Sequence, residues 1–221
     1  MMTNLFSIFD PSTDIFLSLN WLAMFLPLFL MNWSYWLYPS RLNMFWIILL
    51  NKIFYEFLKL SKKFFYPNLI IFLTIMMLLM NLNLLSLMPY IFTPSSHMSI
   101  NLSLSLPLWV SFMLYGWLKN TNKMFAHLLP MNTPGLLMIF MILIETISNF
   151  IRPWTLAIRL SANMLAGHLL LSLLGSTLES MPHMLLLFLI QNLLLLLEIS
   201  VSVIQSYVFA ILTLLYFNES N

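Results

Sequence analysis

Four charged residues lie inside long apolar stretches in the second half of the chain. Glu145, Arg152 and Arg159 follow one another at intervals of seven, so they share one helical face. Glu198 stands within the run LLLLLEISVSVIQ. If these stretches cross a membrane, each charge near the bilayer centre costs at least ~2.5–3.5 kcal/mol, and residues retained at that cost normally belong to ion pathways or proton relays. A structural alternative stays open for Glu145 and Arg152, and less so for Arg159, in which the side chain reaches the membrane interface.

The side-chain types divide these residues into fixed charges and proton carriers. Arginine is not deprotonated in proteins, so Arg159 would act as a fixed positive charge. Histidine and buried glutamate can titrate near neutral pH, as a proton relay requires, and His168 and Glu198 supply these groups. His168 comes nine residues after Arg159, on roughly the opposite side of a helix at ~100° per residue. The spacing predicts a proton path in two parts, with Arg159 at the division and His168 and Glu198 along one part.

The polar residues of the two long apolar stretches fit one antiparallel register. If a tight turn joins two helices, the register that sets Arg159 level with Gln205 also sets His168 level with Glu198, to within two residues. The face around Arg159 carries mostly small side chains, which allow another helix to pass closely. These residues are Thr155, Ala162, Asn163 and Ala166.

The composition requires lipid around most of the chain. Of 221 residues, 61% are hydrophobic and only 7% are charged, against roughly 25% charged in soluble domains. The stretches 68–88 and 99–118 are each long enough to cross a hydrocarbon core of ~30 Å. Cysteine is absent, which excludes disulfides and thiolate metal sites. The sequence therefore predicts an all-α integral membrane protein forming a single polytopic membrane domain.

The predicted elements follow in order along the chain. One transmembrane helix is expected over 15–38, and a basic amphipathic helix in the membrane interface over 41–66. Two transmembrane helices follow over 68–88 and 99–118. The second carries a stripe of small residues suited to close helix packing, at Ser99, Ser103, Pro107 and Ser111.

The last two predicted helices are too long to stand upright in a membrane. They cover 134–175, after the capping pair Thr133-Pro134, and 183–217. At ~1.5 Å per residue their lengths are ~60 and ~50 Å, so each helix either breaks or lies strongly tilted. Neither glycine nor proline interrupts the second. This favours a strongly tilted C-terminal helix hairpin.

The positive charges predict the orientation of the spans. If the spans alternate, seven of the nine basic residues fall on one side, which is the cytoplasm or its equivalent, the matrix. The N-terminus, with Asp10 and Asp14, falls on the other side. The first residues lack the pattern of a signal or transit peptide. Direct insertion of the mature chain and expression inside an organelle both remain open.

Two segments of the sequence resemble the subunit a family of F-type ATP synthases. These are TLAIRLSANMLAGHLLL at 155–171, with its Arg-x-x-x-Asn-x-x-x-Gly core, and VIQSYVFAILTLLY at 203–216. Shorter blocks, including MMTNLFSIFDP and LPLW, are similar to animal mitochondrial members. The resemblance covers essentially the whole chain and favours an organelle-encoded form.

The resemblance implies a role for each candidate residue. Subunit a is the stator of the proton turbine and lies against a rotating ring of c subunits, and Arg159 matches the arginine that faces this ring. His168 and Glu198 match the pair that lines the half-channel on the intermembrane side. Asn163 and Gln205 match polar neighbours of the arginine. Glu145 matches an acidic residue of the matrix-side exit.

The resemblance also implies location and partners. The expected location is the mitochondrial inner membrane, with the N-terminus towards the intermembrane space and the C-terminus towards the matrix. The expected partners are the c-ring, the peripheral-stalk subunit b, other small membrane-sector subunits and the lipid bilayer. The proton is the substrate, and no cofactor, metal or nucleic acid is expected. Four glycines leave no room for a P-loop, so ATP chemistry would occur in partner subunits.

Three other functions are weighed against this one. A proton-pumping respiratory subunit would be expected to carry lysines inside its spans, whereas every lysine here falls in a loop or the amphipathic helix. A haem-bearing electron carrier would need histidines paired on facing helices, and here they occur singly. An inert anchor has no reason to bury Arg159 and Glu198. No role is assigned to His97, His127, His183 or Arg152.

Overall fold

The structure is a computed structural model that describes residues 5–13, 18–30, 37–61, 66–128, 134–178 and 184–220. Every regular element in these ranges is a helix. Three short 3₁₀ helices cover Leu5–Phe9, Leu19–Phe25 and Pro94–Ser96. The α-helices are α1 (Leu26–Leu30), α2 (Arg41–Leu60), α3 (Tyr66–Ser86), α4 (Met98–Lys119), α5 (Thr121–His127), α6 (Gly135–Leu178) and α7 (Met184–Ser220).

Four of these helices, α3, α4, α6 and α7, are long and apolar enough to cross a membrane. The chain is therefore a multi-pass membrane protein. With 44 residues in α6 and 37 in α7, the last two helices measure ~66 and ~55 Å, well beyond the ~30 Å of a hydrocarbon core. Helix α6 continues through Pro153. Neither long helix ends inside its predicted range, and their tilt in the membrane remains a prediction.

The N-terminal span predicted over 15–38 falls only partly on described residues. The described part is an apolar helix over Leu19–Phe29, which is too short to cross a membrane. Residues 14–17 and 31–36 lie outside the described ranges. A single crossing over 15–38 stays a prediction.

The amphipathic helix is shorter than its predicted range of 41–66. Ser40 caps its start, its side chain accepting a hydrogen bond from the backbone N–H of Asn43. It ends at Leu60 because Ser61 leaves the helical conformation, with φ −85° and ψ 148°. The chain is helical again from Tyr66, at the start of α3, and Pro67 suits that first turn.

The core is built around α3 and the second half of α7. One apolar cluster joins α2, α3 and α7 through Phe57, Phe72, Met76, Ala210 and Leu214. A second joins α3, α6 and α7 through Leu79, Leu156, Leu160 and Phe209. These clusters hold the middle of α6 and the second half of α7 in place. The first halves of both helices expose long runs of apolar side chains, over 137–151 and 186–199.

Helix α4 does not use its stripe of small residues to pack against the described chain. The predicted stripe at 99, 103, 107 and 111 is exposed along its whole length. The buried face carries Ile100, Asn101, Ser105 and Gly116 instead. A spacing of four defines a continuous face of small side chains, but it does not specify which neighbour that face meets. No described residue covers this stripe, so its suitability for close helix packing stays a prediction.

The link after α4 contains a short helix that the sequence did not predict. A Cβ atom on Gly116 would lie 3.0 Å from the sulfur of Met124, so glycine permits close contact between α4 and α5. Residues 129–133, including the predicted capping residue Thr133, lie outside the described ranges.

Candidate functional site

Arg159 lies near the middle of α6, at the edge of its packed face. Leu156 and Leu160 are buried against the core on one side of it, and Ile158 and Ala162 are exposed on the other. Its guanidinium makes no ion pair or hydrogen bond with any residue that the structure describes. Arg159 is therefore a half-buried fixed cation without an anionic partner among the described residues.

The carboxyl group of Glu198 occupies space that a glycine leaves open. A Cβ atom on Gly167 would lie 2.7 Å from Glu198 Oε1 and 2.8 Å from Cδ. A cavity of about 190 Å³ adjoins this contact, and its lining includes Asn163, Met164 and Val201. Gly167 faces Glu198, and Asn163 shares a cavity with Val201. The register of α6 against α7 therefore agrees with the one predicted from the polar residues.

His168 is level with Glu198 but turned away from it. No hydrogen bond or ion pair joins these two described residues. The His168 ring instead meets the edge of Phe9, with ring centroids 6.4 Å apart. His168 Nε2 and Glu198 Oε2 are both buried, and neither has a hydrogen-bond partner in the described chain. Gly167 occupies the position that faces α7, which turns the next residue by ~100°.

The two predicted amides, Asn163 and Gln205, are half-buried and do not bond to Arg159. Asn163 lines the Glu198 cavity one turn along α6. Gln205 lies on α7. No hydrogen bond joins either of these described residues to Arg159.

Glu145 belongs to a second charged cluster, on the other side of Arg159 along α6. Arg152 Nη2 lies 3.6 Å from Glu145 Oε1. Arg152 Nη1 donates a hydrogen bond to Glu219 Oε2, near the end of α7. The guanidinium carbon of Arg152 lies 5.0 Å from the centre of the Tyr216 ring. These four residues border a cavity of about 580 Å³ between α4, α5, α6 and α7.

The sequence analysis missed Glu219 and left Arg152 without a role. An acidic residue near the end of the last helix was the available signal. The predicted register of α6 against α7 covers residues up to Gln205 and does not reach Glu219. The Arg152 side chain is long enough to reach a residue of α7 several positions away from the one level with it. The register of the two helices therefore does not predict this contact.

A set of buried polar atoms on the end of α3, the 3₁₀ helix Pro94–Ser96 and the start of α4 was also missed. Both side-chain atoms of Asn83, the hydroxyls of Ser95 and Ser105, Oδ1 of Asn101 and Nε2 of His97 are buried without a hydrogen-bond partner in the described chain. Buried polar atoms left in this way are the usual sites of ordered water. The group adjoins the Glu198 region, since the hydroxyl of Ser86 lies 3.9 Å from the sulfur of Met164.

His97, which had no predicted role, packs within this region. Its ring centroid lies 5.1 Å from that of Trp21 and 5.3 Å from that of Phe92. The side chain of His127 and all of His183 lie outside the described residues.

Known proteins match this chain over its full length. The family model for the ATP synthase A chain covers residues 15–218. The chain belongs to this family. It is 54% identical to ATP synthase subunit a of Drosophila yakuba over all of both chains. It is also 54% identical to the subunit a proteins of Locusta migratoria, over 99% of each chain, and Anopheles gambiae, over all of both chains.

Membership in the ATP synthase A chain family agrees with the resemblance found in the sequence. A family member with four helices able to cross a membrane is a multi-pass subunit of the membrane sector of ATP synthase. Its partners are other subunits of that sector. ATP synthesis and proton transport are the processes in which this family takes part.

Proposed function

We propose that this chain is the proton-translocating stator of a mitochondrial ATP synthase, in the inner membrane. It forms two offset half-channels against a rotating c-ring, and Arg159 separates them. Its other partners are the peripheral-stalk subunit b and small membrane-sector subunits. The chain carries protons and leaves ATP chemistry to the catalytic head.

The observation that carries the proposal is the unpaired guanidinium of Arg159. Arg152 has two carboxylates close by, whereas Arg159 has none among the described residues. A cation held at membrane depth requires an opposite charge. A carboxylate on each passing c subunit would supply it, and the arginine would favour its deprotonated form. The exposed Ala162 and Ala166 on the same helix leave room for such a helix to approach.

Polar groups on both sides of Arg159 support two separate half-channels. His168 lies nine residues away, or ~13.5 Å along the helix, and Arg152 lies seven residues away in the other direction, or ~10.5 Å. Glu198, His168 and Asn163 would serve the half-channel towards the intermembrane space. Glu145 would serve the matrix half-channel. A proton could pass from one to the other only on the ring, because the fixed charge of Arg159 repels it.

The set of buried polar atoms on α3, the 3₁₀ helix Pro94–Ser96 and α4 would supply water to the first half-channel. Six of its polar atoms lack partners in the described chain. A site with several polar atoms is one where water can make the two to four hydrogen bonds it needs. Ser86 and Met164 connect this region with the cavity beside Glu198.

The proposed orientation places the N-terminus in the intermembrane space and the C-terminus in the matrix. The exposed basic residues support it. Arg41, Lys52 and Lys59 lie on α2, and Lys119 ends α4. The positive-inside rule assigns these positions to the matrix side.

The decisive test compares native and Arg159→Ala complexes in membrane vesicles, with and without the catalytic head. Without the head, the variant is expected to leak protons passively, because the barrier between the half-channels is gone. With the head attached, it is expected to lose ATP synthesis. Proton flux and ATP synthesis are measured on the same preparation.

The matched control is Arg41→Ala, which removes an exposed arginine at the start of α2. It is expected to keep native coupling. Normal ATP synthesis by Arg159→Ala would show that this arginine is structural and would overturn the stator assignment in favour of an anchor.

A further inference from the structure

We infer that Glu219 is a positioning residue that takes the hydrogen bond of Arg152, so that Arg152 and Glu145 form only a looser ion pair and Glu145 can exchange protons. The inference rests on the proposed function, which places Glu145 in the matrix half-channel. It adds a residue from the end of α7 that the proposed proton path does not otherwise use.

The geometry of the cluster is asymmetric. Arg152 donates a hydrogen bond to Glu219, whereas its closest approach to Glu145 is 3.6 Å. A hydrogen bond between two ionised groups is roughly twice as strong as a neutral one. The guanidinium is thus engaged mainly by Glu219. Glu145 forms the longer of the two ion pairs of Arg152, without a hydrogen bond.

The last turns of α7 hold the guanidinium in this position from two directions. Tyr216 and Glu219 are three residues apart, so they project from the same face of α7. The ring of Tyr216 lies 5.0 Å from the guanidinium carbon, within the range of a cation–π contact. Arg152 comes from α6, as does Glu145. The end of α7 therefore controls which carboxylate the arginine serves.

The described charges at the cavity all belong to this cluster. The cluster holds two carboxylates and one guanidinium, so its net charge is −1 when both acids are ionised. The walls contributed by α4 and α5 are uncharged. Tyr216 is the other titratable group at the cavity, and neither Lys119 nor Lys123 lines it.

Both carboxylates are open enough for protons to arrive through water. The side chains of Glu145 and Glu219 are 40% and 55% exposed, and that of Arg152 is 27% exposed. Removal of the Glu219 charge would leave Arg152 with one anionic partner, Glu145. The ion pair between Arg152 and Glu145 would then tighten, which would slow proton exchange at Glu145.

The test measures passive proton flux through the membrane sector of Glu219→Gln and Arg152→Gln/Glu219→Gln complexes. Glu219→Gln is expected to slow flux about tenfold, the effect of ~1.4 kcal/mol of added ion pairing. The double variant restores the native net charge of −1 and frees Glu145. Its flux is expected to return to near the native rate.

Rescue by the double variant separates positioning from a structural role. If the ion pair only fastens α7 to α6, the double variant should be no better than Glu219→Gln, and that result would overturn the inference. Glu219→Asp keeps the charge and is expected to conduct like the native chain. Equal losses in Glu219→Asp and Glu219→Gln would also contradict it.

A third variant distinguishes this inference from the proposed function. Glu145→Gln should slow flux by itself. If it does, and Glu219→Gln conducts normally, the inference fails and the half-channel assignment stands. If Glu145→Gln conducts normally, the matrix half-channel assignment fails and the inference fails with it. The Arg159→Ala result is independent of both.

Discussion

Gly167 shows how a residue without a side chain can belong to a proton path. The carboxyl group of Glu198 fills the space where a Cβ atom would stand. The three nearest atoms all belong to the flexible Glu198 side chain, so that side chain can move to admit a methyl group. A larger residue at 167 would displace the proton carrier rather than the fold.

We predict that Gly167→Ala lowers proton flux without lowering stability. The methyl group would push the Glu198 carboxyl out of place, and a misplacement of ~1 Å can cost up to roughly a hundredfold in rate. Alanine is also favoured over glycine within a helix by about 1 kcal/mol. Passive proton flux and thermal unfolding of the membrane sector are measured together.

Gly175→Ala provides the control for this prediction. It lies on the same helix and has no atom within 4 Å of the added methyl group. It is expected to conduct protons normally. Native flux in Gly167→Ala would mean that the exact position of the Glu198 carboxyl does not matter.

The sequence identifies the polar residues of the site better than it identifies their contacts. Arg159 and Glu198 stand out because charge is costly in apolar sequence. The register of α6 against α7 also follows from the positions of polar residues. The helical rotation that turns His168 towards Phe9 and leaves Gly167 facing Glu198 depends on the packing of α3 and the N-terminal segment. No spacing within the hairpin encodes it.

Helix α4 separates two sets of polar residues on two faces. Asn101 and Ser105 are buried, whereas Ser103 and Ser111 are exposed. In the proposed function the buried face borders water and the exposed face meets lipid or another subunit. Substitutions on the two faces should therefore have different effects.

We predict that Asn101→Leu reduces passive proton flux several-fold. The substitution removes the Oδ1 atom that lacks a partner and one hydrogen bond, from Nδ2 to the backbone oxygen of Ser95. Loss of that bond costs about 1 kcal/mol, which the assembled complex should tolerate. The apolar side chain would exclude the water that the polar atoms hold. Flux is measured per assembled complex.

Ser103→Ala, two residues away on the exposed face, is the control and should conduct normally. If both variants conduct normally, the set of buried polar atoms on α3, the 3₁₀ helix Pro94–Ser96 and α4 is not part of the proton path. If Ser103→Ala is the one that loses flux, the faces of α4 have been assigned the wrong way round.

The sequence predicts where the long helices begin and end along the chain, but not which faces they pack together. Continuous apolar runs mark α3, α4, α6 and α7 because a spanning backbone must satisfy its hydrogen bonds within a helix. The short helix α5 has too few apolar residues to be distinguished from a polar link. The inward face of α4 could not be predicted either, because lipid and protein interior are both apolar and leave no contrast between faces.

The whole molecule has a packed half and an open half. Its clusters join α2, α3, the middle of α6 and the second half of α7. The first halves of α6 and α7 carry their apolar residues on the outside. The composition predicts a membrane protein of this kind, but one sequence does not tell which outer surface meets lipid and which meets protein.

We predict that Ala162→Phe abolishes ATP synthesis while the chain still folds. Ala162 is exposed beside Arg159, so a large ring there would not disturb the core. It would obstruct the close approach of a rotor helix that small residues allow. Assembly of the complex and the rate of ATP synthesis are measured in the same membranes.

Ala126→Phe, an equally exposed alanine on α5, should leave synthesis unchanged. Full activity in Ala162→Phe would place the ring-facing surface elsewhere on the molecule.

The exposed first half of α7 also affects the lifetime of this protein in the cell. Between 186 and 199 the chain supplies little cover of its own, and Arg159 has no counter-charge among the described residues. Neighbouring subunits and lipid would cover the exposed apolar side chains, and a neighbouring subunit would supply the counter-charge of Arg159. A copy that finds no neighbours keeps a costly charge and a poorly supported helix, which are features that expose a chain to proteolysis. The abundance of this subunit should therefore follow that of its complex, with surplus copies removed by degradation.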